Sequence, residues 1–180
     1  IILIKFGLKK KMRPVNRLDL NTSGIIIFAK CEYIQEALSK QMKDNIFKKE
    51  YLCIVNGTFP DDKKSGVINL PIERKQGSII ERCISKNGQP SITHYEVLKQ
   101  YKDKNYSVVK CLLETGRTHQ IRVHMSAISH PLLGDTLYGT SSDLISRQAL
   151  HSYKVSFIHP ILKKELNLLA DIPKDMRALM

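Results

Sequence analysis

Residues 79–114 constrain the fold most, because three segments rich in β-branched or alternating residues, 79–84, 92–99 and 106–114, are divided by short turn signals. Asn87-Gly88 is a hairpin dipeptide and Lys102-Asp103-Lys104-Asn105 a charged turn. Strands joined this closely pair antiparallel. Upstream, residues 49–57 read as a strand stopped by Gly57, residues 61–66 as a polar loop, and Ile25, Ile26, Ile27 and Phe28 as a buried strand. The stripe Tyr33, Ile34, Ala37, Leu38 and Met42 marks an amphipathic helix over 31–43 that covers this strand. Thr118 is placed to cap a short helix through Ile128, with Ile121, Met125 and Ile128 on its apolar face, and His130-Pro131 ends it. Residues 152–158 alternate like a strand, His159-Pro160 turns, and Leu166, Leu168 and Leu169 form a last strand. This order predicts an α+β fold with a mixed, mostly antiparallel central sheet and flanking helices and loops.

A hydrophobic content of 42% and a charged content of 26% are those of a globular domain, and 180 residues suffice to bury a core. No apolar stretch reaches the ~18 residues of a membrane-spanning helix, and no secretory signal opens the chain, so a cytoplasmic location is expected. Cys31, Cys53, Cys83 and Cys111 form no CxxC pair and are expected as buried thiols. The net charge of +12 points to a polyanionic partner. Paired lysines such as Lys48-Lys49, Lys63-Lys64 and Lys163-Lys164, with Lys9 to Lys11, favour nucleic acid over a membrane, since no long basic amphipathic helix carries them. The chain begins at Ile1 inside an apolar run, as a fragment lacking an N-terminal part would.

Two polar segments carry the candidate chemistry. In Asn16-Arg-Leu-Asp-Leu-Asn-Thr-Ser-Gly24, Asp19 follows Arg17 on a loop that leads into apolar structure. Loops fixed by a rigid scaffold are where reactive groups concentrate, although an Asx turn with a surface ion pair fits the same residues. The second segment, from Glu114 to Gly139, gathers Arg117, His119 and Arg122 at a helix N-terminus, which suits either a phosphate or a carboxylate such as Asp19. A metal site on His119, His124 and His130 is disfavoured, because on a helix His119 and His124 point about 140° apart. A triad of Ser23, His119 and Asp19 lacks a nucleophile elbow.

Together, NRLDLNTSG and TGRTHQIRVHMSAISHPLLGDTLYG resemble the RluA-type family of RNA pseudouridine synthases. Residues 49–57 look like that family's tyrosine motif and 92–98 like its connecting strand; RQALH (147–151) and PKDM (173–176) resemble its C-terminal pattern. The resemblance implies the pseudouridine synthase catalytic fold and isomerisation of specific uridines in structured ribosomal or transfer RNA. It implies that Asp19 attacks the flipped nucleotide, that Arg122 pairs with and orients Asp19, and that Tyr51 lies against the uracil and takes part in proton removal. Arg17 would fill space or contact phosphate, and Arg117 and His119 would contact RNA or order their loop. No metal or organic cofactor is called for, and nothing demands more than a monomer. Where the family most often has His before Arg-Leu-Asp, this chain has Asn16, which keeps hydrogen bonding without titration and implies a structural role. The family's N-terminal strand and any separate N-terminal RNA-binding domain are not found, so residues 1–180 are expected as one catalytic domain truncated at its N-terminus. The alternative is a noncatalytic RNA-binding module with the same basic surface; phosphoryl transfer through His119 is a weaker third reading.

Overall fold

The computed structural model describes residues 12–180; Lys9 to Lys11 and the apolar run at the start of the chain lie outside them. The elements in chain order are β1 (Arg13–Pro14), β2 (Ser23–Gly24), β3 (Phe28–Ala29), α1 (Glu32–Lys43), β4 (Lys48–Asn56), β5 (Ser65–Asn69), β6 (Ile72–Arg74), β7 (Arg82–Ile84), β8 (Ile92–Tyr101), β9 (Tyr106–Leu113), α2 (Gln120–Ala127), β10 (Leu150–Ile158), β11 (Glu165–Leu169) and α3 (Lys174–Arg177). The large sheet runs β11-β10-β4-β9-β8-β5, all antiparallel, and β2 pairs parallel with the start of β10. This is the mixed, mostly antiparallel α+β sheet expected from the sequence. Lys102-Asp103-Lys104 winds a single 3-10 turn, and Asn105 at φ 52° closes the β8–β9 hairpin.

β4 and β9 occupy the middle of the sheet and are apolar on both faces, as strands covered from two sides must be. On one face Tyr51, Cys53 and Val55 of β4 and Val109 and Cys111 of β9 pack under Ile121 and Met125 of α2. On the other, Ile54 and Val108 meet Ile145, Ala149 and Met176. A third cluster joins Leu38 of α1 to Phe47, Val155 and Phe157, where the two phenyl rings stack 5.4 Å apart.

Several local expectations are corrected. Residues 25–28 are not a buried strand: Ile25 and Ile27 turn into the α1 cluster, while Ile26 and Phe28 are exposed. The backbone there passes from the β2–β10 ladder to the β1–β3 pair, with Ile25 N–H donating to Ser152 O and Val15 N–H to Ile27 O. α1 forms where the stripe predicts it, but Tyr33 stays exposed. Residues 61–66 hold a 3-10 turn (Asp61–Lys63) and the start of β5. The Asn87-Gly88 turn does not join β7 to β8. β7 pairs with β6, and after the turn Gln89 bridges Ile72 on the other side of β6, leaving Ile79 and Ile80 exposed. Only Cys53 and Cys111 are buried thiols, their sulfurs 3.8 Å apart; Cys31 is exposed before α1 and Cys83 half-buried on the small β6–β7 sheet. No helix among the described residues is long and apolar enough to cross a membrane.

Candidate active site

The Asp19 loop is bent by its own backbone and then tied down from a distance. Thr22 N–H donates to Asp19 O at 3.0 Å, and Asn21 adopts a left-handed φ of 66°. Asn16 clasps the far strand of the loop, its Nδ2–H donating to Ile25 O at 3.0 Å and its Oδ1 accepting from Ile27 N–H at 2.7 Å, the structural role its chemistry implied. The long-range ties come from Arg147 and Gln148. Arg147 holds Asp175 through two hydrogen bonds and donates to Asn21 O, and Gln148 donates to Leu20 O and Thr22 Oγ1. Ser23 Oγ lies 2.9 Å from His151 Nδ1, so Ser23 belongs to the β2–β10 junction and not to a triad with His119. Gly24 at that junction has φ 114°, and a Cβ there would fall 2.2 Å from Ser152 O. Only glycine fits.

Asp19 so held lines a cleft of about 700 Å³ shared by Arg17, Lys49, Tyr51, Arg117 and Gln120. A shallower groove continues past Gly116 to Thr118 toward Arg74, Arg82 and the 87–89 turn. Arg122 stands behind Asp19, its Nη1 4.0 Å from Asp19 Oδ2. Its principal partner is one that sequence reasoning missed: Nε and Nη2 donate to the two carboxylate oxygens of Asp135 at 2.7 and 2.8 Å, a bidentate pair buried from solvent. Asp135 also accepts from Leu137 and Tyr138 N–H, and the guanidinium sits 5.0 Å from the centre of the Tyr138 ring. Burial works against the Arg122 charge, yet the Asp135 hydrogen bonds and the charges of Asp135 and Asp19 more than offset it and raise its pKa. Gly134-Asp135 stands within the second polar segment, but its aspartate signals nothing until the turn brings it back onto α2.

Tyr51 projects from β4 into the same cleft and is nearly sealed from water. Burial pushes its phenol up to about 12; the Ser152 hydroxyl opposes this and the Asp19 charge adds to it. Arg17 and Arg117 are exposed at the cleft wall. Arg117 Nε donates to Pro90 O, and its own N–H reaches Gln120 Oε1 at 3.0 Å. Gln120, also missed, is a buried hub: Oε1 takes Arg117 N–H and the Thr115 hydroxyl, while Nε2 donates to Ile92 O and Thr93 Oγ1. The expected Thr118 cap is absent, since α2 begins at His119 in a left-handed conformation (φ 58°) with no side-chain cap. His119 does not line the cleft. Its Nδ1 lies 2.8 Å from Tyr138 Oη, which also accepts from Arg82 N–H. Burial, with the nearby Arg122 and Arg82 charges, lowers the His119 pKa against the pull of Asp19 and Asp135. His124 is engaged by Thr93 and Leu70, and His130 by Asn56, so the three imidazoles serve three separate sites. No group of three metal-ligating side chains occurs among the described residues.

Residues 2–127 match the family model described as RNA pseudouridylate synthase. An uncharacterized RNA pseudouridine synthase of Bacillus subtilis, YjbO, is 42% identical over 174 residues, covering 97% of this chain and 60% of the relative. Ribosomal large subunit pseudouridine synthase D of Zymomonas mobilis is 38% identical over 186 residues, covering 96% of this chain and 57% of the relative. The chain thus spans about 60% or less of the length of these curated relatives. The solved structure of human RNA pseudouridylate synthase domain containing 1 superposes with a TM-score of 0.76 at 28% identity, covering 89% of this chain and 69% of that one. With its Asp19 loop, its buried Arg122 and the strand bearing Tyr51 on one such scaffold, the chain belongs to the RNA pseudouridylate synthase family, in its RluA-type branch.

Proposed function

We propose that this chain isomerises uridine to pseudouridine in structured RNA, with Asp19 as the attacking group. The observation that carries the reading is a carboxylate fixed in a basic cleft, with Tyr51 in the wall and Arg122 4.0 Å behind it. The target uridine must leave its stack to bring its glycosidic bond to Asp19, and the cations around the cleft suit the phosphates that accompany it. Attack by Asp19 on C1′ displaces N1; the base rotates, C5 displaces Asp19 from C1′ and frees the carboxylate, and the C5 proton is removed while N1 gains one. Atoms balance without a cofactor or metal, and one chain supplies every side chain the reading uses, so a monomer suffices.

Arg122, itself locked by Asp135, holds Asp19 by Coulombic attraction from a fixed position. Tyr51, protonated at neutral pH, faces the uracil and works in proton removal by accepting the C5 proton at Oη as its own proton passes to solvent, from which N1 takes one. Arg17 and Arg117 hold the flanking strand, and His119 supports them by ordering the start of α2 through Tyr138. The names of relatives such as the Zymomonas mobilis enzyme make large-subunit ribosomal RNA the first substrate to test, with transfer RNA second.

Incubation with in vitro transcribed ribosomal and transfer RNA, followed by pseudouridine mapping, should give site-specific conversion. Asp19→Asn should lower that conversion by about 10³-fold or more while RNA affinity stays within about 3-fold. Equal conversion by both proteins would remove Asp19 from the chemistry, and RNA binding without conversion by the unaltered protein would leave a noncatalytic binding module.

A further inference from the structure

Lys49 is the buried cation of the cleft, and the reading above leaves its charge unused. It is only 8% exposed, whereas Arg17, Lys43 and Arg117, the other cations of the cleft, are exposed. Among the described residues the buried charged side chains are Lys49, Arg122 and Asp135, and the last two neutralise each other. Lys49 has no hydrogen-bond or ion-pair partner among the described residues, and residues 1–11 contain no Asp or Glu that could supply one. Glu50, next in sequence, is paired with Lys154, and Glu114 of the cleft is engaged by His94. A desolvated ammonium without an anion is unfavourable, and burial alone pulls the Lys49 pKa down.

The geometry shows where an anion would go. Lys49 precedes Tyr51 by two residues on β4, so the two side chains leave the same face of the strand into one cleft. Its Nζ reaches the turn that follows the neighbouring strand β9, where a Cβ built on Gly116 would lie 3.0 Å from it. The absence of a side chain at Gly116 keeps that approach open. The Arg122–Asp135–Asp19 group carries one net negative formal charge, which Arg17 offsets at that end of the cleft, whereas the Lys49 ammonium has no anion beside it and is the open place for a phosphate.

We infer that Lys49 binds the phosphodiester flanking the target uridine, its ammonium taking a non-bridging oxygen and so setting the sugar against Asp19. The inference rests on the proposed isomerisation, and its test separates the two. A loop fragment of whichever ribosomal or transfer RNA the protein modifies is synthesised with a single neutral methylphosphonate linkage, on the 5′ side or the 3′ side of the converted uridine. With the unaltered protein, one of the two linkages should raise KM about 10- to 100-fold and leave kcat nearly unchanged. Lys49→Met should produce the same rise on ordinary RNA and show no further rise with the neutral linkage, and Lys49→Arg should recover most of the loss. The linkage arm needs no variant and so stands even if Lys49→Met folds poorly. Conversion that proceeds normally with both neutral linkages overturns the Lys49 assignment and leaves the isomerisation intact. Absence of conversion of any ribosomal or transfer RNA overturns the isomerisation, and the Lys49 assignment with it.

Discussion

Tyr51 and Asp135 show how burial turns ordinary side chains into fixed instruments. The folded chain holds the Tyr51 proton more tightly than the unfolded chain does, near 12 against 10.0, so its stabilisation is complete below pH 10 and is lost as the pH rises through 12. Urea midpoints across this range should therefore fall further for the unaltered protein than for Tyr51→Phe, by about 3 kcal/mol in all; parallel curves would contradict the burial of the phenol. Asp135→Asn strips a buried guanidinium of its bidentate anion and should cost about 3–5 kcal/mol in the same assay, with conversion of RNA falling as Arg122 loses its anchor. A loss below about 1 kcal/mol would mean that Asp19 replaces Asp135 as partner. Asp19, Arg17, Arg117 and Arg122 were legible in the sequence because charged groups cluster in short polar segments. Asp135 and Gln120 were not, since their importance lies in partners 13 and 28 residues away that only the turns bring close. Lys49 in particular reads as one more surface lysine until burial singles it out.

Among the elements, the β2–β10 junction decides whether the Asp19 loop has a shape at all. Gly24→Ala would press a methyl onto Ser152 O from a backbone conformation that alanine resists, and should destabilise the protein by about 3 kcal/mol or detach the loop from β10. Thermal unfolding combined with hydrogen exchange at residues 20–25 distinguishes the two, and unchanged protection with an unchanged melting temperature would refute the tight junction. The hairpin β8–β9 and the central β4 were legible because alternation and turn residues are local properties. The Ile25 to Phe28 run misled for the opposite reason. Four apolar residues in a row look like an interior strand, yet the chain there passes from the edge of β10 to the β1–β3 pair and shows alternate residues to solvent. The Asn87-Gly88 turn was likewise real but paired with different neighbours, because a turn signal fixes a reversal of direction and not the identity of the strand that follows.

For the whole molecule, the +12 charge matters through where the cations lie. Arg17, Lys43, Lys49, Arg74, Arg82 and Arg117 line the cleft and the groove that continues it, six cations along one path. At about 0.7 counterion released per neutralised phosphate of a single strand, the logarithm of the RNA affinity should fall with the logarithm of salt at a slope of roughly −4. Filter binding between 50 and 200 mM salt should then show a loss of about 250-fold; a slope near zero would mean the path does not carry RNA. The parallel pairing of Ser23 with His151 has a consequence in time as well as in space. These partners are 128 residues apart, and closing so long a loop is favourable only once β10 is itself seated between β4 and β11. During synthesis Asp19 leaves the ribosome well before Arg147, Gln148 and His151 exist to hold it. The Asp19 loop is therefore among the last parts to be completed, since its ties to Arg147, Gln148 and His151 form only after the C-terminal strands have been made.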